Sequence, residues 1–221
     1  TGGHPPTHTD QVGLRDASRW YGHVVAVTTI TCKLAPGITG LLGPNGAGKS
    51  TVLHMIAGLL APSAGQVLID GESAAGNPRI YKKLGLVPER EAVQPFLTGY
   101  EFVLMNARLQ KLANPEDAAQ RAVALVDLEE AQHRRVGGYS KGMRQRIKIA
   151  GALVHDPSIL LLDEPFNGMD PRQRLHMMEL LRTMASTGRT VLISSHILEE
   201  LNDLASSVLV MVAGRLAASG H

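Results

Sequence analysis

The sequence predicts an α/β fold with a mainly parallel sheet core, an antiparallel β subdomain at the N-terminus and an inserted α-helical subdomain. Three observations predict it. Short apolar strand candidates alternate with helical stretches along most of the 221 residues. Gly43-Pro44-Asn45-Gly46-Ala47-Gly48-Lys49-Ser50-Thr51 has the phosphate-loop spacing G-x-x-x-x-G-K-[ST], between a strand and a helix. From Thr98 to about Ala131 helix formers dominate and interrupt the alternation. Residues 1–10 read as a disordered tail or an added segment, and 11–221 as a single domain, with the helical subdomain at approximately 90–155.

Each element has its own signal. Residues 12–19 and 23–34 alternate or run apolar with β-branched residues, which predicts two antiparallel strands around a Tyr21-Gly22 turn. Ile38 to Leu42 is a short buried strand leading into the phosphate loop. Ser50 to Leu60 is a helix whose N-terminus adds its dipole to the anion site. Gln66 to Asp70 is a strand ending at Gly71, and Leu84 to Val87 one stopped by Pro88. Tyr100 to Leu112 and Pro115 to Leu125 are helices, with Pro115 suited to a first turn after Asn114. A further helix spans Lys141 to His155. Ile159 to Leu162 is a central parallel strand, apolar on both faces. Pro171 to Ser186 is helical, Thr190 to Ser194 a strand, Ile197 to Leu204 a helix, and Ser207 to Val212 a last strand with a Gly214 turn. Internal repeats and low-complexity linkers are absent from the sequence.

Composition narrows the class. Apolar residues make up 44% and charged residues 19%, an ordinary globular mix, but aromatics are only 4%, so the core must be aliphatic. Lys plus Arg number 22 against 20 Asp plus Glu, and no dense basic stripe runs through the chain, so no nucleic-acid partner is expected. Cys32 is the only cysteine, which excludes an internal disulfide and predicts a reducing compartment. The longest apolar runs, Ile159 to Leu162 and Val208 to Ala213, fall far short of the ~18 residues that cross a bilayer. The polar opening, Thr1 to Asp10, is not a signal peptide. Its His4 and His8 lack neighbours that would complete a metal site. The chain starts at Thr1 rather than Met, as expected of a piece of something longer.

The chemistry of the phosphate loop follows from residue types. Gly43, Gly46 and Gly48 permit backbone angles that a Cβ forbids, so a run of N–H groups can curl around a polyphosphate. Lys49 carries a positive charge to the outer phosphates, and the Ser50 hydroxyl suits Mg²⁺. A Gly-rich surface turn is the bland alternative, which the later motifs make untenable. Ile159-Leu160-Leu161-Leu162-Asp163-Glu164 delivers two carboxylates at the C-terminal end of a buried strand, where α/β sheets bind ligands. Asp163 is assigned to the Mg²⁺ shell and Glu164 to orienting or deprotonating a water that attacks the γ-phosphate. Two solvated acids at a strand end would read the same in isolation. The phosphate loop upstream favours function. Tyr139-Ser140-Lys141-Gly142-Met143 precedes a helix and reads either as a second anion-binding device or as a plain helix cap. Sequence physics does not separate the two.

The order phosphate loop, helical insert, Tyr139-Ser140-Lys141-Gly142-Met143, Leu160-Leu161-Leu162-Asp163-Glu164-Pro165 and Ser194-Ser195-His196 resembles the nucleotide-binding domain of ABC ATPases, across nearly all of residues 12–219. The variant Ser-Gly motif looks like that of ABC-2-type exporter ATP-binding subunits. The resemblance implies a P-loop NTPase fold with a RecA-like core, and ATP and Mg²⁺ as ligands. It implies head-to-tail pairing with a second nucleotide-binding domain. It also implies transmembrane permease subunits or a fused membrane domain, and a peripheral place on the cytoplasmic face of the cell membrane. Catalytic roles fall on Glu164, His196 and Lys49, with His196 matching the histidine that contacts the γ-phosphate. Nucleotide contacts fall on Tyr21, residues Gly43 to Thr51, and, from the partner, Ser140, Lys141, Gly142 and Asp170. Tyr21 matches the aromatic against adenine, with Trp20 as the neighbouring alternative. Metal contacts fall on Ser50, Asp163 and Glu89. The resemblance also implies a segment beyond the last strand.

Two positions depart from the family pattern. Glu89, in Val87-Pro88-Glu89, replaces the usual Gln, keeping an oxygen for Mg²⁺ but adding negative charge near the phosphates. The other reading is a solvated loop acid, with the true equivalent a residue or two away. Lys141 replaces a Gly and adds positive charge near the γ-phosphate of the partner's ATP. Among competing classes, a soluble ABC ATPase or an importer shares these motifs. A GTPase would carry an Asn-Lys-x-Asp motif, which is missing here. DNA-repair relatives place a long coiled coil where this chain has fewer than about a hundred residues and no sustained heptads.

Overall fold

The structure, a computed structural model, describes residues 12–90 and 93–220, so the expected tail at Thr1 to Asp10, with His4 and His8, lies outside the described residues. The chain runs β1 (Val12–Tyr21), β2 (Val24–Leu34), β3 (Gly37–Leu42), α1 (Lys49–Ile56), β4 (Ala64–Ile69), β5 (Glu72–Ser73) and β6 (Leu84–Val87). Three helices follow, α2 (Gly99–Leu109), α3 (Pro115–Leu125) and α4 (Lys141–Leu153). It closes with β7 (Ile159–Asp163), α5 (Pro171–Ser186), β8 (Thr190–Ser195), α6 (Leu198–Asn202), β9 (Ser207–Val212) and β10 (Arg215–Gly220).

Two sheets form. The first is antiparallel, in the order β2-β1-β4-β5, with Val12 opposite Leu34 and Tyr21 opposite Val24 across the opening hairpin. The second has the order β10-β9-β3-β8-β7-β6 and is parallel except for β10. The alternation of side chains in β7 explains why its apolar run has no polar face. Ile159 and Leu161 join the core shared with α1 and the antiparallel sheet, while Leu160 and Leu162 join the core of α2 to α5. A strand covered on both faces must be apolar throughout. All three C-terminal strand ends that matter for the site, of β3, β6 and β7, lie on one edge of this sheet.

Local chemistry sets the helix boundaries. The Thr98 hydroxyl accepts from the Glu101 amide at 3.1 Å and Glu101 Oε2 accepts from the Thr98 amide at 2.8 Å, a reciprocal cap that starts α2 one residue earlier than expected. Ser140 caps α4 by accepting from the Met143 amide at 3.2 Å, and Asp170 caps α5 by accepting from Gln173 at 2.9 Å. α1 ends at Ile56, short of the expected Leu60, because Gly58 turns left-handed with φ +69°. α2, α4 and α6 likewise end earlier than expected, at Leu109, Leu153 and Asn202.

Two strands escaped the sequence reading. Asp70 and Gly71 both have positive φ, 53° and 80°, forming a tight turn that returns the chain as β5. Ala213 and Gly214, at 47° and 76°, do the same before β10. An alanine in that conformation is unfavourable, so the second hairpin carried little signal. No helix among the described residues is long and apolar enough to cross a membrane.

Candidate active site

The phosphate loop occupies the turn from β3 into α1, and its shape depends on two glycines. Gly46 and Gly48 adopt φ +81° and +99°, and a Cβ on Gly48 would stand 2.5 Å from the Ala26 carbonyl oxygen of β2. The loop is pinned at both ends. The Gly43 amide donates to Ser195 at 3.2 Å, and the Gly214 amide donates to the Ala47 carbonyl at 3.0 Å. Ala47 also donates to Pro44 at 3.1 Å. Lys49 is buried, and its ammonium donates to the carbonyls of Gly43 at 2.7 Å and Pro44 at 3.2 Å. The cation is thus held over its own loop.

Glu164 follows β7 in a left-handed conformation, φ 49°, unusual for a side-chain-bearing residue and of the kind concentrated at functional sites. Its amide donates to the Ser194 carbonyl at 3.2 Å and to the Ser194 hydroxyl at 3.1 Å, which holds the turn. The carboxylate is buried between two cations or cation precursors. Oε1 lies 3.5 Å from Lys49 Nζ, and Oε2 accepts from His196 Nδ1 at 3.0 Å. That contact puts the proton of a neutral imidazole on Nδ1 and leaves Nε2 as the lone-pair nitrogen. Oε1 accepts no hydrogen bond, so one buried oxygen keeps capacity for another donor. Asp163 accepts a short bond from the Ser194 hydroxyl through Oδ1.

A cavity of about 400 Å³ joins these parts. It is lined by Asn45, Gly46, Gly48, Lys49, Ser50, Thr51, Glu89, Asp163 and Glu164, together with Ala26. Nine residues singled out from the sequence therefore meet in one space. His196 reaches it through Glu164. The donors are hard oxygens, from a hydroxyl and carboxylates, which suits Mg²⁺. Among the described residues no group of three or more His, Cys, Asp or Glu forms a ready metal cage.

Other predicted site residues lie elsewhere in the single chain. Tyr21 is not among those lining the phosphate cavity; it is exposed on β1, with the Arg19 guanidinium 4.8 Å from its ring centre. Ser140, Lys141, Gly142 and Asp170 form a separate cluster where α4 meets α5. A Cβ on Gly142 would stand 2.6 Å from Gln173 Oε1 and 2.8 Å from the Gly168 carbonyl, so only glycine permits this approach. Asp170 and Gln173 line a different cavity with Asp127, Arg146 and His176. Tyr139 is buried beneath the motif, its hydroxyl donating to the Ala131 carbonyl at 2.7 Å, and burial pushes its pKa up.

Sequence reasoning missed several supporting residues. Glu200 is buried and accepts from the Ser195 hydroxyl at 2.7 Å, with Arg174 Nη1 at 3.4 Å from its other oxygen. A glutamate in the first turn of a short helix reads as solvated, and no sequence signal marks it otherwise. Lys148 looks like an exposed helix residue yet is buried. Cys32 stands outside the site; burial raises its pKa to about 11, leaving a protonated, poorly reactive thiol.

Comparison with known proteins agrees with this geometry. Residues 27–167 match the family model described as ABC transporter. Nod factor export ATP-binding protein I of Rhizobium etli is 34% identical over 214 residues, covering 95% of this chain and 68% of that protein. A solved structure of an ATP-binding subunit of an ABC transporter superposes with TM-score 0.85 at 28% identity, covering 95% of this chain and 89% of that one. The dimeric structure of MJ0796, a bacterial ABC transporter cassette, shares the fold at TM-score 0.88 and 23% identity, covering 95% and 97%. A phosphate loop that shares one cavity with the acids of β7, in a chain matched over most of its length by that model and that relative, belongs to the ABC transporter family.

Proposed function

We propose that this chain hydrolyses ATP to drive export across a membrane, working as a peripheral subunit or domain on the cytoplasmic face. The observation that carries the reading is the chain Lys49–Glu164–His196, a buried carboxylate held 3.5 Å from a phosphate-loop ammonium and 3.0 Å from an imidazole. The loop amides and Lys49 bind and orient the phosphates. Glu164 Oε1, lacking a hydrogen-bond donor of its own, takes the proton of an attacking water. His196 holds the other carboxylate oxygen and so fixes the direction in which Oε1 points. Ser50, Asp163 and Glu89 would hold Mg²⁺, which neutralises charge developing on the phosphates.

The cluster of Ser140, Lys141, Gly142 and Asp170 lies apart from the phosphate cavity, which supports its use on the ATP of a second copy or homologous domain, paired head to tail. The dimeric cassette of the same fold adds to this. A groove on α2 lined by Leu97, Leu104, Met105 and Leu109, flanked by Glu101 and Arg108, offers an apolar surface to permease subunits or a fused membrane domain. The relative's export role supports the direction of transport.

Glu164→Gln tests the reading. ATPase activity should fall at least about a hundredfold while ATP binding persists. Light scattering should then show a monomer becoming a dimer only with Mg·ATP. Full ATPase activity in this variant would sink the assignment of Glu164, and a variant that binds ATP without pairing would sink the composite site in the isolated chain.

A further inference from the structure

A charged residue on α4 is buried where the hydrolytic reading gives it no role. Lys148 is only 5% exposed. Burying an ammonium is costly unless strong acceptors surround it. Here its Nζ meets the carbonyl oxygens of three successive residues, Pro88 at 2.9 Å, Glu89 at 3.4 Å and Arg90 at 3.4 Å. These residues form the loop that leaves β6 at the sheet edge carrying the phosphate loop. Glu89 lines the phosphate cavity together with Ser50 and Asp163.

We propose that Lys148 is a positioning residue for Glu89. The carbonyls of Pro88 and Glu89 belong to the peptide units on either side of the Glu89 α-carbon. With both turned onto one ammonium, the backbone on each side of Glu89 is fixed, and with it the direction of the carboxylate. A loop acid otherwise has many orientations, and a metal-facing oxygen held in one of them loses less entropy on binding. The same contact ties Glu89 to α4, whose N-cap is Ser140. Eight residues of helix, about 12 Å, separate Ser140 from Lys148. One rigid rod therefore links the metal-facing loop of this chain's own cavity to the motif that serves the partner's ATP.

This inference rests on the hydrolytic reading, and the test separates the two. Lys148→Met keeps the apolar stem and removes the donors, and Lys148→Arg restores them. ATP binding is measured without Mg²⁺, then titrated with Mg²⁺ to find the concentration that half-maximally tightens it, alongside the same half-point for ATPase activity. In Lys148→Met, metal-free ATP binding should be unchanged and both half-points should rise roughly tenfold, while Lys148→Arg returns them to within roughly threefold of wild type. In a Glu89→Ala background Lys148→Met should add nothing. A folded Lys148→Met protein with wild-type half-points overturns the proposal. So does an undiminished effect in the Glu89→Ala background. Should Lys148→Met not fold, Lys148→Leu, which likewise removes the donors and keeps an apolar side chain, decides by the same outcomes. Wild-type protein that fails to bind ATP overturns the hydrolytic reading and this inference with it.

Discussion

Ser195 sets where His196 stands. Its hydroxyl donates to Glu200 at 2.7 Å and accepts from the Ile197 amide at 3.0 Å, so the residues flanking His196 are gathered on one buried oxygen. Glu200 is steadied in turn by Arg174 from α5. Ser195→Ala would leave a buried carboxylate oxygen and an amide without this partner. We expect a loss of about 1–3 kcal/mol in urea unfolding. ATPase kcat should fall more than the KM for ATP rises, because the displaced His196 no longer holds the Glu164 carboxylate at 3.0 Å. An unchanged urea midpoint would remove this role from the hydroxyl. At this scale Lys49, Asp163, Glu164 and His196 stand out in the sequence by their order, and the structure brings them together. The sequence did not show Glu200 or Lys148, whose burial is created by elements that arrive from elsewhere in the chain.

At the scale of elements, α2 depends on its reciprocal cap. The Glu101 carboxyl is held below its ordinary value of 4.5, first by the Thr98 amide and then by the Thr98 hydroxyl, with a smaller contribution from Arg135. A carboxyl whose folded pKa is lowered stabilises the fold above its unfolded pKa, and the contribution disappears as pH falls through the folded value. Wild type should therefore exceed Glu101→Gln in stability at neutral pH, with the gap closing as pH drops below about 4.5. Urea unfolding of both proteins at neutral and acid pH measures this, and a pH-independent gap would show that the carboxylate charge is not what matters. Thr98-x-x-Glu101 is a cap signature that can be read directly from the sequence. Asp70-Gly71 is a hairpin signal as well, yet β5 after it was not expected, and after the expected Gly214 turn β10 was not, because alanine ordinarily avoids the left-handed conformation Ala213 takes here.

For the whole molecule, the separation of the phosphate loop from the Ser140 motif is the feature with consequences. One chain holds a phosphate cavity around Lys49 and a capped helix start at Ser140 that does not line it. In the proposed head-to-tail pairing each site would be made from two chains. Lys49→Ala should inactivate the cavity and Ser140→Arg the opposite half, so each homodimer is inactive. Mixed in equal amounts, half the pairs are heterodimers with one intact site of two, and ATPase activity should return to about a quarter of wild type if the sites act independently. Mixtures that stay inactive would count against sites shared between chains.

The sequence by itself determined the phosphate loop, the two acids that end β7, the strand and helix alternation and the family. Each is written in contiguous residues, where local backbone preference and side-chain period act directly. Only the tertiary structure decided that Asn45, Gly46, Gly48 to Thr51, Glu89, Asp163 and Glu164 share one cavity while Ser140 and Asp170 do not. It alone gave Ser195, Glu200 and Lys148 their partners. Those contacts join residues from different strands and helices, and a hydrogen bond between distant segments leaves no periodic trace in either of them.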